Sequence, residues 1–371
     1  MSEGRKERIV FIDLLRGYAI LMMLQGHTIG VVLREELQNN RYPAHFVWWY
    51  LKGLTAPTFF TAAGLIFAYL LLRSAEQGGD RIGKGLKRGL QLMVLGWVLR
   101  ISPDFVKDLF AGEWSRVLAI LGKSYVFHSI GIAIILLILL WLLCRPRGKI
   151  FALAVLLLGQ LILLFGPWAE TWAPESGGGR VLGTFFSRQY AAFPLLPYLG
   201  YAFTGAGLGA WAWVSKWYRS PRAFGVLIAA GALTMALSGP LHEGAKLIME
   251  GLFSLSPEAA VYGRHWRTGE VLVLTGLIGL LSLWLTKKEK LESRPVQWVT
   301  RCGQETLTIF FLHHIVVYSG IFGFGLSSTL RHALGVPGSL LTAGLVWAGF
   351  ILLAMNLTAL RKKFPPLRLL R

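Results

Sequence analysis

The chain has 371 residues, 54% of them hydrophobic and only 15% charged, with a mean hydropathy of +0.54. Soluble domains carry about 25% charged residues, and the apolar stretches here run to 18 residues or more, which excludes a soluble enzyme and an outer-membrane barrel with its ten-residue alternation. A formal net charge of +19 would suggest nucleic acid in a soluble protein, but here the loops of a membrane protein account for it.

The fold class is therefore all-α: a polytopic helical membrane protein of about ten transmembrane helices, with no soluble domain. The apolar runs predict helices near 9–33, 46–72, 85–101, 123–143, 149–168, 193–214, 223–241, 271–286, 305–325 and 338–360. The first contains "DLLRGYAILMMLQGH", residues 13–27. It is too long for a signal h-region and lacks a cleavage site, so it reads as retained. Charges inside a membrane helix cost a few kcal/mol each, so something offsets Asp13 and Arg16. Eleven residues separate Arg16 from His27. At 100° per residue that is three turns plus about 20°, so both lie on one face, roughly 16 Å apart along the axis. Asp13 is within pairing reach of Arg16. Two readings stand. In one, an Asp13–Arg16 pair fixes helix packing and His27 bonds a carbonyl. In the other, Arg16 holds an anionic donor and the imidazole of His27, titrating near working pH, is a general base.

The second helix carries Lys52, whose candidate partners are Asp13, Glu113 and a donor molecule. Before the third, "GDRIGKGLKRG" is not a phosphate-binding P-loop, because Gly85 follows the Gly-Lys pair and the spacing is wrong. The segment 102–122 is amphipathic and predicted to lie at the outer interface. "PESGGGR" is a turn-rich external loop. "GAGLGAW" at 205–211 lies inside an apolar span with no strand before it, which means close helix packing rather than a nucleotide loop. The segment 242–270 predicts a short surface helix and then a polar tip with Arg264, His265 and Arg267. His313 and His314 point about 100° apart on a helix, so at most one faces a given site. The two cysteines, Cys144 and Cys302, form neither a disulfide framework nor a metal-ligand spacing, and no metal is expected.

Assigning the inter-helix segments alternately to two sides puts 24 Lys and Arg with the termini and 11 opposite, leaving Arg16, Lys52 and Arg100 within spans. Short loops orient by positive charge, so both termini are predicted to be cytoplasmic. That surplus suits anionic membrane lipid or a polyanionic ligand.

"IDLLRGYAILMMLQGH" resembles the opening of the transmembrane acyltransferase superfamily, which includes acyltransferase family three and the heparan-alpha-glucosaminide N-acetyltransferase-like family. An Arg, ten residues, then His is its pattern, matched by Arg16 and His27. "GLTAPTFFTAAGL", "LKRGLQLMVLGW", "VFHSIGIAIILL", "FPLLPYLGYAFTGAGLGAW" and "CGQETLTIFFLHH" resemble its later helices in the same order. The resemblance covers about residues 8–320 of a single domain spanning 1–371, and is nearest to the bacterial heparan-acetyltransferase-like branch.

The resemblance implies an acyl-CoA donor, acetyl-CoA first, bound from the cytoplasm of a bacterial inner membrane. The acceptor would be a sugar or glycan hydroxyl or amine at the outer face. Lys84, Lys87 and Arg88 would neutralise donor phosphates, with Arg16 deeper, and Lys52 and His128 are further donor-site candidates. Planar arginine forks suit phosphate. His27 would be the base, with Asp13 beside Arg16. In the family's animal members the position matching His27 is not histidine, and a histidine just before the second helix is the catalyst. His45, in "YPAHFVWWYLKGLT", occupies the comparable place, so two histidines compete. The reaction expected is direct transfer in a ternary complex, since no Cys or Ser stands at a nucleophile spacing with a base. Two other classes remain. A transporter or exporter would reuse the polar face, but needs matched broken helices or an internal repeat, and neither is visible. An unrelated membrane-bound O-acyltransferase would use His313 or His314 as base. The sequence leaves a homodimer open.

Overall fold

The computed structural model describes residues 9–144, 147–171, 183, 185–253, 264–318 and 322–370. The glycine-rich loop at 174–180 lies outside the described residues. Among them there are helices and turns but no strands, and the single bridge is between Leu33 and Leu334. Each of the ten sequence-predicted spans overlaps a helix; the ninth, 305–325, runs past its helix end at Tyr318 into residues that lie partly outside the described ones. Five spans among the described residues are long and apolar enough to cross a membrane: Pro43–Glu76, Val126–Cys144, Gly148–Glu170, Arg264–Lys287 and Val336–Lys363. A bent pair, Pro221–Ala236 and Ser238–Leu252, makes a sixth when taken as one span. The first helix, α1 (Val10–Val32), is absent from that set because Asp13, Arg16, Gln25 and His27 dilute its hydropathy.

Several predicted helices are interrupted, for local reasons. The span at 46–72 is two helices, α2 (Pro43–Lys52) and α3 (Thr55–Glu76). Pro57 has no N–H to offer the Gly53 carbonyl, so the ladder stops between them. The α4 helix (Arg81–Val98) starts where the Asp80 carboxylate accepts from the Gly83 N–H at 2.8 Å. The amphipathic stretch 102–122 folds as α5 (Pro103–Phe110) and α6 (Trp114–Gly122), turned at Gly112, whose φ of +74° suits glycine. Then come α7 (Val126–Cys144), α8 (Gly148–Thr171) and α9 (Leu195–Ser215). The span at 223–241 bends by 52° between α10 (Pro221–Ala236) and α11 (Ser238–Phe253), where Pro240 deprives Ala236 of a donor. Arg264, His265 and Arg267 are not a polar loop tip. They form the first turn of α12 (Arg264–Lys287), and the partly buried Arg264 pairs with the buried Glu170 at 2.7 Å. The late helices are α13 (Arg294–Gln304), α14 (Thr306–Tyr318), α15 (Leu326–Thr329) and α16 (Val336–Lys363).

The chain divides into two compact units, one comprising 1–55, 275–319 and 324–371, the other 56–274 and 320–323. In the first unit, α1 packs on α13, α14 and α16. Backbones touch there because a side chain on Gly17 would meet the Val299 carbonyl, and one on Gly303 the Asp13 carbonyl. The N-terminal end of α1 gathers a polar cluster. Gln304 donates to Asp13, and Arg361 makes a two-pronged contact with Glu305 at 2.8 and 2.6 Å while also donating to Thr308. Thr308 holds the C-terminal turn through the Leu370 carbonyl. At the other end, the Leu334 N–H donates to Val32 and the Arg34 N–H to Leu334. The second unit is joined by glycine contacts. Gly64, Gly205 and Gly209 let α3 meet α9 backbone to backbone, and Gly89 faces Gly131 between α4 and α7.

Candidate active site

The face of α1 that carries Arg16 and His27 is answered by one face of α14. Thr306 and His313 are seven residues apart, two turns less about 20°, so they share a face as Arg16 and His27 do. Arg16 Nη2 donates to Thr306 Oγ1 at 2.6 Å. His27 Nδ1 and His313 Nε2 are 3.0 Å apart, and the two rings meet edge to edge through these nitrogens, with centroids 5.2 Å apart and planes 29° apart. Both helices begin at the polar end of the unit, so the pair nearer the two N-termini is Arg16 with Thr306 and the pair farther along is His27 with His313.

Further groups close around the histidine pair. The ring of Tyr318 presents its edge to His27 with centroids 5.4 Å apart, and His314 lies against Tyr318 at 5.1 Å. Of the two adjacent histidines, His313 meets His27 directly, and His314 packs on the tyrosine beside it. His313 is fully buried and its Nδ1 lies 2.5 Å from the Phe310 carbonyl. His27 is only partly buried.

The other residues singled out from the sequence divide as follows. Asp13 accepts from Gln304 Nε2 at 3.3 Å, at the same end of α1 as Arg16. His45 sits on the first turn of α2, half-buried, with Nδ1 3.0 Å from Asn40 Oδ1 and its ring against Trp48. Trp48 donates to Gln25 at 2.8 Å, which ties α2 to α1. Lys52 does not reach Asp13, contrary to one expectation. Its stem lies over Gly26 and its ammonium beside Gly30, toward the opposite end of α1, 5.0 Å from the Trp48 ring. A Cβ at Gly26 would stand 3.1 Å from the Lys52 Cγ, so the glycine lets the stem lie close to α1.

Lys84, Lys87 and Arg88 belong to the second unit. They sit at i, i+3 and i+4 on α4 and so share a face. The two lysines are exposed, and Arg88 donates to Gln91 at 3.1 Å. Arg81, one turn earlier, extends the stripe. It lies 5.9 Å from the Phe67 ring, and its buried Nε has no hydrogen-bond partner. Its position at i−3 from Lys84 was the signal for it in the sequence. His128 is 2% exposed, accepts the Tyr125 N–H on Nδ1 at 3.0 Å, and lies flat on Gly96 and beside Trp97. That geometry makes it a cap on the first turn of α7 and a packing element against α4. Among the described residues no group of three or more His, Cys, Asp or Glu could hold a metal ion.

The arrangement offers a cation and an imidazole on one helix face, each held by a residue of one partner helix. An imidazole with a fixed partner on one nitrogen can exchange a proton at the other. One family model, that of the heparan-alpha-glucosaminide N-acetyltransferase catalytic domain, matches residues 8–239. The match takes in α1 and the cationic stripe of α4 and ends before α14, short of the residue-320 limit to which the sequence resemblance was drawn. No curated protein matches the chain.

Proposed function

The chain belongs to the heparan-alpha-glucosaminide N-acetyltransferase family of membrane acetyltransferases, and from that premise we propose that it moves an acetyl group from cytoplasmic acetyl-CoA to a sugar or glycan acceptor at the outer face of a bacterial inner membrane. His27 is the general base. It takes the proton of the acceptor hydroxyl or amine as that atom attacks the thioester carbon, and CoA leaves as the thiolate. Transfer is direct, within a ternary complex. In the first unit, Arg16 and Lys52 are the donor-binding cations.

The observation that carries this reading is the contact between His27 and His313 on the same pair of helix faces as Arg16 and Thr306. Evenly placed structural glue does not require a titratable pair at one end and a guanidinium at the other. His27 is preferred to His45 because its ring is fixed by a buried neighbour, whereas His45 pairs with an asparagine of its own loop. The test is acetyl transfer and acetyl-CoA affinity in purified His27→Ala and His45→Ala proteins. His27→Ala should lose about 10²–10⁴ in rate with donor affinity retained, and His45→Ala should transfer normally. Normal transfer by His27→Ala and none by His45→Ala would move the role to His45.

A further inference from the structure

His313 lies in an apolar helix, 286 residues from His27 in sequence, and is fully buried. A buried histidine must place both ring nitrogens, since an unpaired polar atom there carries the full desolvation penalty. The two contacts of this ring are of different kinds. On one side stands the carbonyl of Phe310, which can only accept. The Nδ1 of His313 must therefore carry the hydrogen and donate it. In a neutral imidazole the other nitrogen is then a bare acceptor. That nitrogen, Nε2, faces Nδ1 of His27 at 3.0 Å. An acceptor there calls for a donor opposite, so the hydrogen of neutral His27 sits on Nδ1. Its Nε2 is left with a free lone pair, and among the described residues His27 makes no other hydrogen bond.

We propose that His313 is the positioning residue of the catalytic base: held by the Phe310 carbonyl, it fixes the tautomer and ring plane of His27 so that Nε2 is the atom presented to the acceptor. The inference rests on the assignment of His27 as base. It also gives the pair a part in the chemical step. When Nε2 of His27 takes the acceptor's proton, the bond between heteroatom and acyl carbon forms and the bond between acyl carbon and sulfur breaks. CoA leaves as thiolate, and His27 becomes an imidazolium. The Nδ1–H bond to His313 is then charge-assisted and about twice as strong as before. An interaction that strengthens as the proton moves lowers the barrier rather than merely binding substrate. His313 does not pass the proton onward, because its far side ends at a carbonyl that already accepts. The proton on His27 leaves by Nε2, to the departing thiolate or to water.

Three substitutions separate this role from simple space filling. The amide oxygen of glutamine reaches the place of Nε2, whereas that of asparagine reaches only the place of Nδ1. Leucine offers neither. With acetyl-CoA and a fixed acceptor, His313→Leu and His313→Asn should lower kcat by about 10- to 100-fold, the range seen when the group orienting a metal-bound histidine is removed. KM for acetyl-CoA should not change. His313→Gln should recover most of the rate. If the leucine protein does not fold, the contrast between asparagine and glutamine carries the test by itself. Wild-type kcat in His313→Leu or His313→Asn would overturn the inference. So would equal loss in the glutamine and asparagine proteins, or a rise in KM at constant kcat. His27→Ala, measured in parallel, keeps the two readings apart. If it transfers normally, the base assignment itself fails. If it is inactive while His313→Leu is normal, only the role of His313 fails.

Discussion

Arg16 spends one guanidinium nitrogen on Thr306 and has four further N–H donors in a rigid fork. A lysine has no such geometry: it can meet the hydroxyl or an anion, but not both in one plane. If Arg16 contacts the donor, Arg16→Ala should weaken acetyl-CoA binding by about 10- to 100-fold, equivalent to the 1.5–3 kcal/mol of a charge-assisted bond. Arg16→Lys should fall between that protein and the wild type. Titration of purified protein with acetyl-CoA measures both, and wild-type affinity in a folded Arg16→Ala protein would remove Arg16 from the donor site. At this scale the sequence showed half of each pair. The spacing of Arg16 and His27 is a property of one helix, so it could be read directly. Thr306 and His313 are found only when α14 is set against α1, and the composition of an apolar segment says nothing of that neighbour. Asp13, one of the three partners considered for Lys52, was ruled out only in the fold, for the same reason. The lysine's position in the second helix was plain, but the groove made by Gly26 and Gly30 that steers its ammonium away from Asp13 was not.

Glycine decides how closely the helices approach, and here the sequence was more informative. "GAGLGAW" was read as a packing element, and Gly205 and Gly209 lie against the backbone carbonyls of Thr61 and Leu65 on α3. A methyl group at Gly205 would have to displace main chain, which cannot move as a side-chain tip can. Gly205→Ala should therefore destabilise the protein by at least the 1–3 kcal/mol typical of overpacking. Gly225, on α10, has nothing within 4 Å of where a Cβ would stand. Gly225→Ala should be neutral or raise stability by up to about 1 kcal/mol through helix propensity. Thermal unfolding of the two proteins in detergent makes the comparison. Equal stability would mean that α3 and α9 are not packed through Gly205. The helix breaks were also encoded, by Pro57 and Pro240. Hydropathy averaged over a whole span does not register them, since one proline within twenty apolar residues barely alters the mean.

Orientation in the membrane belongs to the whole chain, because it follows from charges spread over every loop. The first unit has two unlike ends. One holds Asp13, Arg16, Glu305, Arg361 and the C-terminal turn in a polar cluster. The other is closed by backbone bonds between the end of α1 and residues 332–334. The division of Lys and Arg predicts that the polar end faces the cytoplasm. The segment matched by the family model ends at residue 239, so the late helices that complete the polar end lie beyond it, although "CGQETLTIFFLHH" was legible as a resemblance. Single cysteines introduced on a background lacking Cys144 and Cys302 test the orientation. Arg41→Cys, in the exposed segment after α1, should react with a membrane-impermeant thiol reagent on intact cells. Lys290→Cys, in the exposed turn between α12 and α13, should react only after permeabilisation. If the pattern is reversed, the termini are outside, Arg16 lies toward the outer face, and a cytoplasmic acetyl-CoA can no longer approach from the end proposed for it. The histidine pair would then sit nearer the cytoplasm, and acceptor and donor would have to exchange sides.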